Sequence, residues 1–185
     1  MITDKTYNEE IITEQLHDPE RCRDAFSRVI AHYTELLYWQ IRRMVIDHDD
    51  TNDLLQNTFI KAWTNIDNFR GEAKLSTWLH KIAINEAITF INKEKAKNNV
   101  SIDDESFLID NLQADEWFDG DEVKLQLQKA INQLPEKQRL VFNMRYFDEM
   151  KYEDMSEILG TTVGALKASY HHAIKKIEQF FSSND

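Results

Sequence analysis

The sequence is expected to fold as an all-α protein, with two small helical domains joined by an acidic linker. Three observations predict this. Only four glycines and two prolines punctuate 185 residues, too few for the tight turns of a sheet-rich fold. Apolar residues recur at spacings of three and four along most of the chain. One stretch near the middle abandons that recurrence and collects acids instead.

The first helical pattern runs from about Pro19 to Ile46, with Phe26, Ile30, Tyr33, Leu37, Ile41 and Met44 on its apolar stripe. The second opens at "DHDDTND", where Asp and Thr suit a helix N-terminus, and continues through Leu55, Phe59, Ala62, Trp63 and Ile66. A loop, "DNFRGEAKLS", turns at Gly71. The third helix starts near Ser76 and is expected to bury Leu79, Ile82, Ala83 and Phe90. Beyond the acidic stretch, Leu127, Ala130, Ile131 and Leu134 form one stripe. Pro135 ends that helix, because the residue before a proline avoids helical angles, and it suits the first turn of the next. A short helix over Tyr152–Leu159 and a longer one from Val163 to about Phe181 close the chain. Between them Gly160 reads as a C-cap, and Thr161 or Thr162 as an N-cap. A short helix, a tight turn and a longer helix make the helix-turn-helix plan.

The net charge of −11 is unevenly spread. Residues 1–95 hold 12 bases and 16 acids, residues 96–128 hold 2 and 9, and residues 129–185 hold 8 of each. The excess is therefore concentrated around the linker, and the last helix escapes it: Gly160 to Ile177 contains three lysines, two histidines and no acid. In that helix Val163, Leu166, Tyr170, Ala173, Ile174 and Ile177 share the inward side. Gly164, Lys167, Ala168, His171, His172 and Lys175 lie opposite, flanked by Ala165, Ser169 and Lys176. Small residues among cations let a helix backbone approach a groove. Lysines neutralise phosphates, and Ser or Ala meets base edges and thymine methyls. A plain solvated face has the same composition; the short helix and Gly-centred turn before it favour DNA.

Other chemistry finds little support. Cys22 has no second cysteine to pair with, which fits a reduced cytoplasmic setting. His171 and His172 are neighbours, not four apart, and nothing near them completes a metal site. Neither a nucleophile with its base nor a phosphate-cradling glycine loop is visible, so no enzyme, cofactor or metal is expected. No apolar run approaches the length of a membrane span, and the N-terminus lacks the basic and apolar regions of a signal peptide.

The segment "LPEKQRLVFNMRYFDEMKYEDMSEILGTTVGALKASYHHAIKKI" resembles the C-terminal promoter-binding domain of the extracytoplasmic-function (ECF) sigma factors of bacterial RNA polymerase, within the sigma-70 family. Upstream, "DDTNDLLQNTFIKAW" resembles the region 2.2 helix of that family, and "FRGEAKLSTWLHKIAINEA" resembles regions 2.3 and 2.4. The resemblance covers about residues 20–181. It implies a region 2 domain over residues 1–97, an acidic linker over 98–122 threading the polymerase channel, and a region 4 helix-turn-helix domain over 123–185. It implies core polymerase binding by Asp50, Asp53, Leu54, Gln56, Asn57 and Ile60. Minus-10 DNA would be held by Phe69, Arg70, Gly71, Lys74, Ser76, Thr77, Lys81 and Asn85. Minus-35 DNA would meet Thr161, Thr162, Gly164, Ala165, Lys167, Ala168, Ser169, His171, His172, Lys175 and Lys176. Core RNA polymerase, promoter DNA and an anti-sigma factor are the implied partners.

The residues agree with this division in part. If Leu55, Phe59, Ala62 and Ile66 point inward, Ile60 points outward among polar groups, as on a partner surface. Residues 70–97 hold six bases and three acids, the right sign for a DNA strand. Trp78 reads as core rather than as a stacking platform. Many relatives carry arginine where this chain has Ser169 and His172, so its minus-35 preference should differ. A stand-alone helix-turn-helix regulator, binding paired half-sites as a dimer, is the alternative, and an acidic helical adaptor a third reading.

Overall fold

The computed structural model describes residues 7–45, 47–97 and 122–183, and these form eight α-helices with no strand among the described residues. Four make the first module: α1 (Glu9–Leu16), α2 (Cys22–Val45), α3 (His48–Thr64) and α4 (Leu75–Lys97). A 3-10 turn at Ile66–Asn68 leads out of α3. The second module comprises α5 (Glu122–Asn132), α6 (Glu136–Tyr146), α7 (Tyr152–Leu159) and α8 (Val163–Ser183). The proposed linker falls almost wholly outside the described residues; only Glu122 is seen, and it already belongs to α5.

Helix starts follow their side chains. Asn8 caps α1, its Oδ1 accepting from the Glu10 and Ile11 amides at 3.0 and 3.2 Å. Asp47 caps α3 by accepting from the Asp50 amide at 2.9 Å. Of the two candidate threonines it is Thr162 that caps α8, with its Oγ1 3.2 Å from the Ala165 amide. Gly160 closes α7 at φ 61°, a left-handed conformation that a side chain disfavours.

The first core gathers Ile12, Val29, Leu37, Ile41, Leu79, Ala83 and Ile84, all at most 1% exposed. Two expected core residues miss it. Ile30 is 36% exposed because Val29 takes the inward position between Phe26 and Tyr33. Both choices obey a three-four spacing, so periodicity alone could not separate them. Trp63 is 41% exposed because Ala62 packs inward beside Phe59. Its ring leans instead on Phe26, with centroids 5.0 Å apart. Ile82 and Phe90 are only partly buried against the core. Trp78 packs on Phe69 at 4.9 Å and belongs with the core, as expected.

In the second module Ala130, Ile131, Leu134, Phe142, Ala173 and Ile177 form a separate core. Val141, Met144, Met155, Ile158 and Leu166 instead join the apolar cluster of the first module. The modules are therefore packed together, α6 and α7 lying against α2 and α4.

Candidate nucleic-acid interface

Helix α8 presents its two faces as the sequence divides them. Leu166, Ala173 and Ile177 are buried, with Tyr170 and Ile174 half-buried beside them. Gly164, Ala165, Lys167, Ala168, His171, His172, Lys175 and Lys176 are all exposed, and Ser169 is half-exposed. Thr162 is exposed, whereas Thr161 is partly covered and its carbonyl accepts from the Ser156 hydroxyl. Lys167 leans over the Tyr152 ring, 5.6 Å from its centroid, while remaining exposed. A Cβ built on Gly164 would meet nothing within 4 Å, so the open face starts at the beginning of the helix. With no acid before Glu178, this surface can follow a phosphate track without self-repulsion.

The loop before α4 is more structured than a basic stretch suggests. Gly71 adopts φ 71°, and Arg70, Glu72 and Lys74 are exposed around it. Between this loop and α1 lies an open cleft of about 560 Å³, lined by Glu9, Glu10, Thr13, Gly71, Glu72, Ala73, Lys74 and Leu75. Glu9 links its walls. It accepts from the Ser76 amide and hydroxyl at 3.3 and 3.4 Å, and from the Tyr33 hydroxyl at 3.0 Å. His17 adds a second tie, its Nε2 lying 2.8 Å from the Phe69 carbonyl. Sequence reasoning missed α1 altogether. Its signal was present: a capping Asn8 before acids, then Ile12 and Leu16 four apart.

Two residues expected at the minus-10 strand are core side chains here. Phe69 and Thr77 are each 4% exposed, Phe69 because its ring packs at a tilt against Trp78 and Thr77 because it faces inward from the first turn of α4. Arg70 and Lys74 stand exposed on the loop, and Lys81 and Asn85 continue as an exposed flank of α4 one turn apart. The positive field there is thinner than the residue count implies. Lys74 pairs with Asp154 at 3.2 Å, Lys95 with Glu136 at 3.1 Å and Lys97 with Glu94 at 3.7 Å.

On α3, Asp53, Gln56, Asn57 and Ile60 form one exposed surface, with Ile60 at 53% and Trp63 extending its apolar part. Leu54 does not belong to that surface. At 6% exposure it faces the core, since a helix with Leu55 and Phe59 inward turns its neighbour at 54 to the edge of the same stripe. Burial raises the Asp50 carboxyl above its ordinary range, and the charges of Asp47, Glu94, Asp53 and Asp49 push it further. Such a cluster favours a cationic partner.

Where the modules meet, a polar chain crosses the boundary. His80 on α4 donates from Nδ1 to the Gln40 carbonyl oxygen at 2.8 Å. Gln40 on α2 donates onward to Asp148 at 3.0 Å, and Arg43 pairs with the other oxygen of that carboxylate. Asp148 lies between α6 and α7; burial pushes its carboxyl up, while Arg43 and Gln40 pull it down. Burial also drives the His80 imidazole down to about 4. No group of three or more candidate metal ligands occurs among the described residues.

Two family models match the chain: sigma-70 region 2 over residues 29–97 and sigma-70 region 4 over residues 124–177. The ECF RNA polymerase sigma factor SigW of Bacillus subtilis is 32% identical over 158 residues, covering 80% of this chain and 84% of its own. The RNA polymerase sigma-H factor of Pseudomonas aeruginosa is 29% identical, covering 84% and 85%. In fold, the chain is similar to CnrH solved with the cytosolic domain of CnrY, with TM-score 0.70 and 18% identity over 96% of this chain and 99% of that one. It is likewise similar to the sigma factor RpoE of Bartonella quintana solved with the anti-sigma factor NepR, with TM-score 0.66 and 20% identity over 86% and 98%.

Proposed function

The chain belongs to the ECF sigma factors of RNA polymerase, non-catalytic initiation subunits, and from that premise we propose how its surfaces divide the work. Core polymerase is bound through the exposed side of α3, where Asp50, Asp53, Gln56, Asn57 and Ile60 offer acids around an apolar point. Promoter DNA is taken at two places. The outer face of α8 enters the major groove at the minus-35 element, and the loop at residues 70–76 with Lys81 and Asn85 holds the minus-10 strand.

The observation that carries this reading is the acid-free, largely exposed small-and-cationic face of α8 in a protein of net charge −11. Lys167, Lys175 and Lys176 supply phosphate contacts, each releasing about one counterion. Ala165, Ala168 and Ser169 allow close approach to base edges. Neither Ser169 nor a neutral His172 can offer a forked pair of donors to guanine, so discrimination there is weaker than an arginine would give.

The cleft between α1 and the loop suits an unstacked base. Lys74 at its rim is placed for a phosphate, and the carboxylates of Glu10 and Glu72 accept from an exocyclic amino group. The acidic segment expected over residues 98–122 serves as the tether between the two modules, its last residue, Glu122, already within α5. The protein acts in the cytoplasm, where its polymerase is, and no described helix is long and apolar enough to cross a membrane. One structural neighbour was solved with the anti-sigma factor NepR and another with the cytosolic domain of CnrY, and an anti-sigma partner is proposed here by analogy with the first.

The test is transcription by core polymerase reconstituted with this chain, on promoters recovered from DNA occupied in cells. Promoter-dependent transcripts that vanish with Ile60→Asp support the assignment. A footprint on those promoters without core polymerase would favour the stand-alone regulator instead.

A further inference from the structure

Helix α1 carries two stripes, and only one of them is needed to hold it in place. Ile12 and Leu16 are buried and seal α1 onto the first core. Glu9, Thr13 and His17, spaced four apart, line the neighbouring side and meet the loop before α4 instead. Each touches a different part of it. Glu9 reaches the loop's end, where its Oε1 accepts from the Ser76 amide and hydroxyl at 3.3 and 3.4 Å. A Cβ built on Gly71 would lie 3.6 Å from the Thr13 methyl, so the turn of the loop rests on the middle of the stripe. His17 reaches the loop's start, with its Nε2 2.8 Å from the Phe69 carbonyl oxygen.

The Glu9 carboxylate supplies a charge that α4 does not provide for itself. No acid occupies the first turn of α4, and the carboxylate set against its amides comes from another helix. Its other oxygen accepts from the Tyr33 hydroxyl at 3.0 Å, on a ring buried in the first core. One well-held side chain thus sets where α4 begins relative to α1. The same two elements form the walls of the cleft of about 560 Å³: Glu10 and Thr13 on α1, and Glu72, Ala73 and Lys74 on the loop. Ties at both ends of the loop therefore fix the width of the cleft. A recognition pocket discriminates when its walls are held to within about 0.5 Å, which a loop tied at one end does not achieve.

We propose that Glu9 and His17 are positioning residues for minus-10 recognition, setting the width of the cleft that receives the unstacked base. Both oxygens of Glu9 are already committed, so it acts through the loop and not on the base. The proposal rests on the assignment of the cleft and of residues 70–76 to the minus-10 strand made above.

Holoenzyme assembled from core polymerase and the full-length chain is tested on promoters whose minus-10 bases are varied one at a time. A fluorescent base analogue at a fixed position reports opening. Glu9→Ala should flatten the base preference, lowering the ratio of open complex on the best base to that on the others by about five-fold, the factor corresponding to one lost helix cap. His17→Ala, whose tie is exposed, should lower the ratio by less. Glu9→Gln keeps an acceptor for Ser76 and should retain most of the wild-type ratio. Hydrogen exchange over residues 69–76 should quicken in both alanine variants, while the buried stretch of α4 from Leu79 to Ile84 keeps its protection. A merely stabilising role would lower opening equally on every base; that result, or an unchanged ratio, overturns the proposal. Arg70→Ala/Lys74→Ala tests the reading beneath it. If that loop variant opens every promoter as the wild type does, the assignment of the loop to the minus-10 strand fails. If it is impaired while Glu9→Ala and His17→Ala keep the wild-type ratio, only the positioning role fails.

Discussion

Acid should destabilise this protein through His80, and the size of the effect follows from its surroundings. The imidazole sits on α4 behind Gln40, partly buried, with its Nδ1 proton committed to the Gln40 oxygen. Burial lowers its pKa from 6.5 to about 4; the nearby charges of Glu9 and Asp154 oppose this without reversing it. The depressed value means the unfolded chain binds a proton more readily than the native one. The contribution of neutral His80 is therefore fully present above pH 6.5 and is lost as pH falls from there toward 4. Linkage between those two values gives a loss of about 2 kcal/mol by pH 5, approaching about 3 kcal/mol below pH 4. The raised carboxyl of Asp148 works in the opposite sense, since the native state takes up its proton first on acidification.

Comparison with His80→Asn removes that complication. An Asn amide can take the place of Nδ1 as donor to Gln40, but it does not titrate. Both proteins keep Asp148, so its share cancels in the difference. Urea unfolding at pH 7 and pH 5 should show the wild type losing about 2 kcal/mol more than the variant over that interval. Equal losses would refute the argument, because they would mean that His80 titrates alike in the folded and unfolded states.

Other outcomes are equally specific. Gly160→Ala should cost about 1 kcal/mol from left-handed strain alone, since a Cβ at that site meets nothing within 4 Å; thermal unfolding measures it. Thr162→Ala should remove the α8 cap for about 1 kcal/mol, with no effect on the first module. In reconstituted holoenzyme, Lys167→Ala should weaken binding to promoters of differing minus-35 sequence about equally and lower the salt slope by about one. Ile60→Asp should abolish core binding in a pull-down while leaving thermal stability within about 0.5 kcal/mol, because the side chain is 53% exposed.

Much of the fold was legible because helical periodicity and punctuation agreed. Pro135, Gly160 and Thr162 bound their helices where local chemistry requires, and the inward residues of α8 lie where the spacing puts them. Two misreadings of the core have a common origin. Ile30 for Val29, and Trp63 counted inward beside Ala62, are errors at the edge of a stripe, where two phases of the same pattern differ by one residue; Leu54 came with the family resemblance, and the structure buries it. Tertiary packing decides those cases. Phe69 and Thr77 illustrate a different limit: a stretch expected to meet a ligand also contains side chains that pack into the core, and local sequence does not separate the two. Helix α1 was overlooked because eight residues carry only two buried apolar positions, too few to stand out as a period.

What no local pattern could reveal is the pairing across modules. Asp148 lies 105 residues from Arg43, and Asp154 lies 80 from Lys74. Each acid reads locally as an ordinary solvated charge. Their meaning depends on where the second module docks, and that follows from apolar residues of α6 and α7 that have a choice of partners. Val141 and Met144 share α6 with Phe142, yet Phe142 packs into the second core while they pack into the first. A helix with apolar residues on two faces can hold its own module together with one and lend the other to whatever is nearest. In the packed protein that neighbour is the first module. The ion pairs across the boundary, Asp148 with Arg43 and Asp154 with Lys74, fix the register of a contact whose main drive is the burial of those apolar side chains.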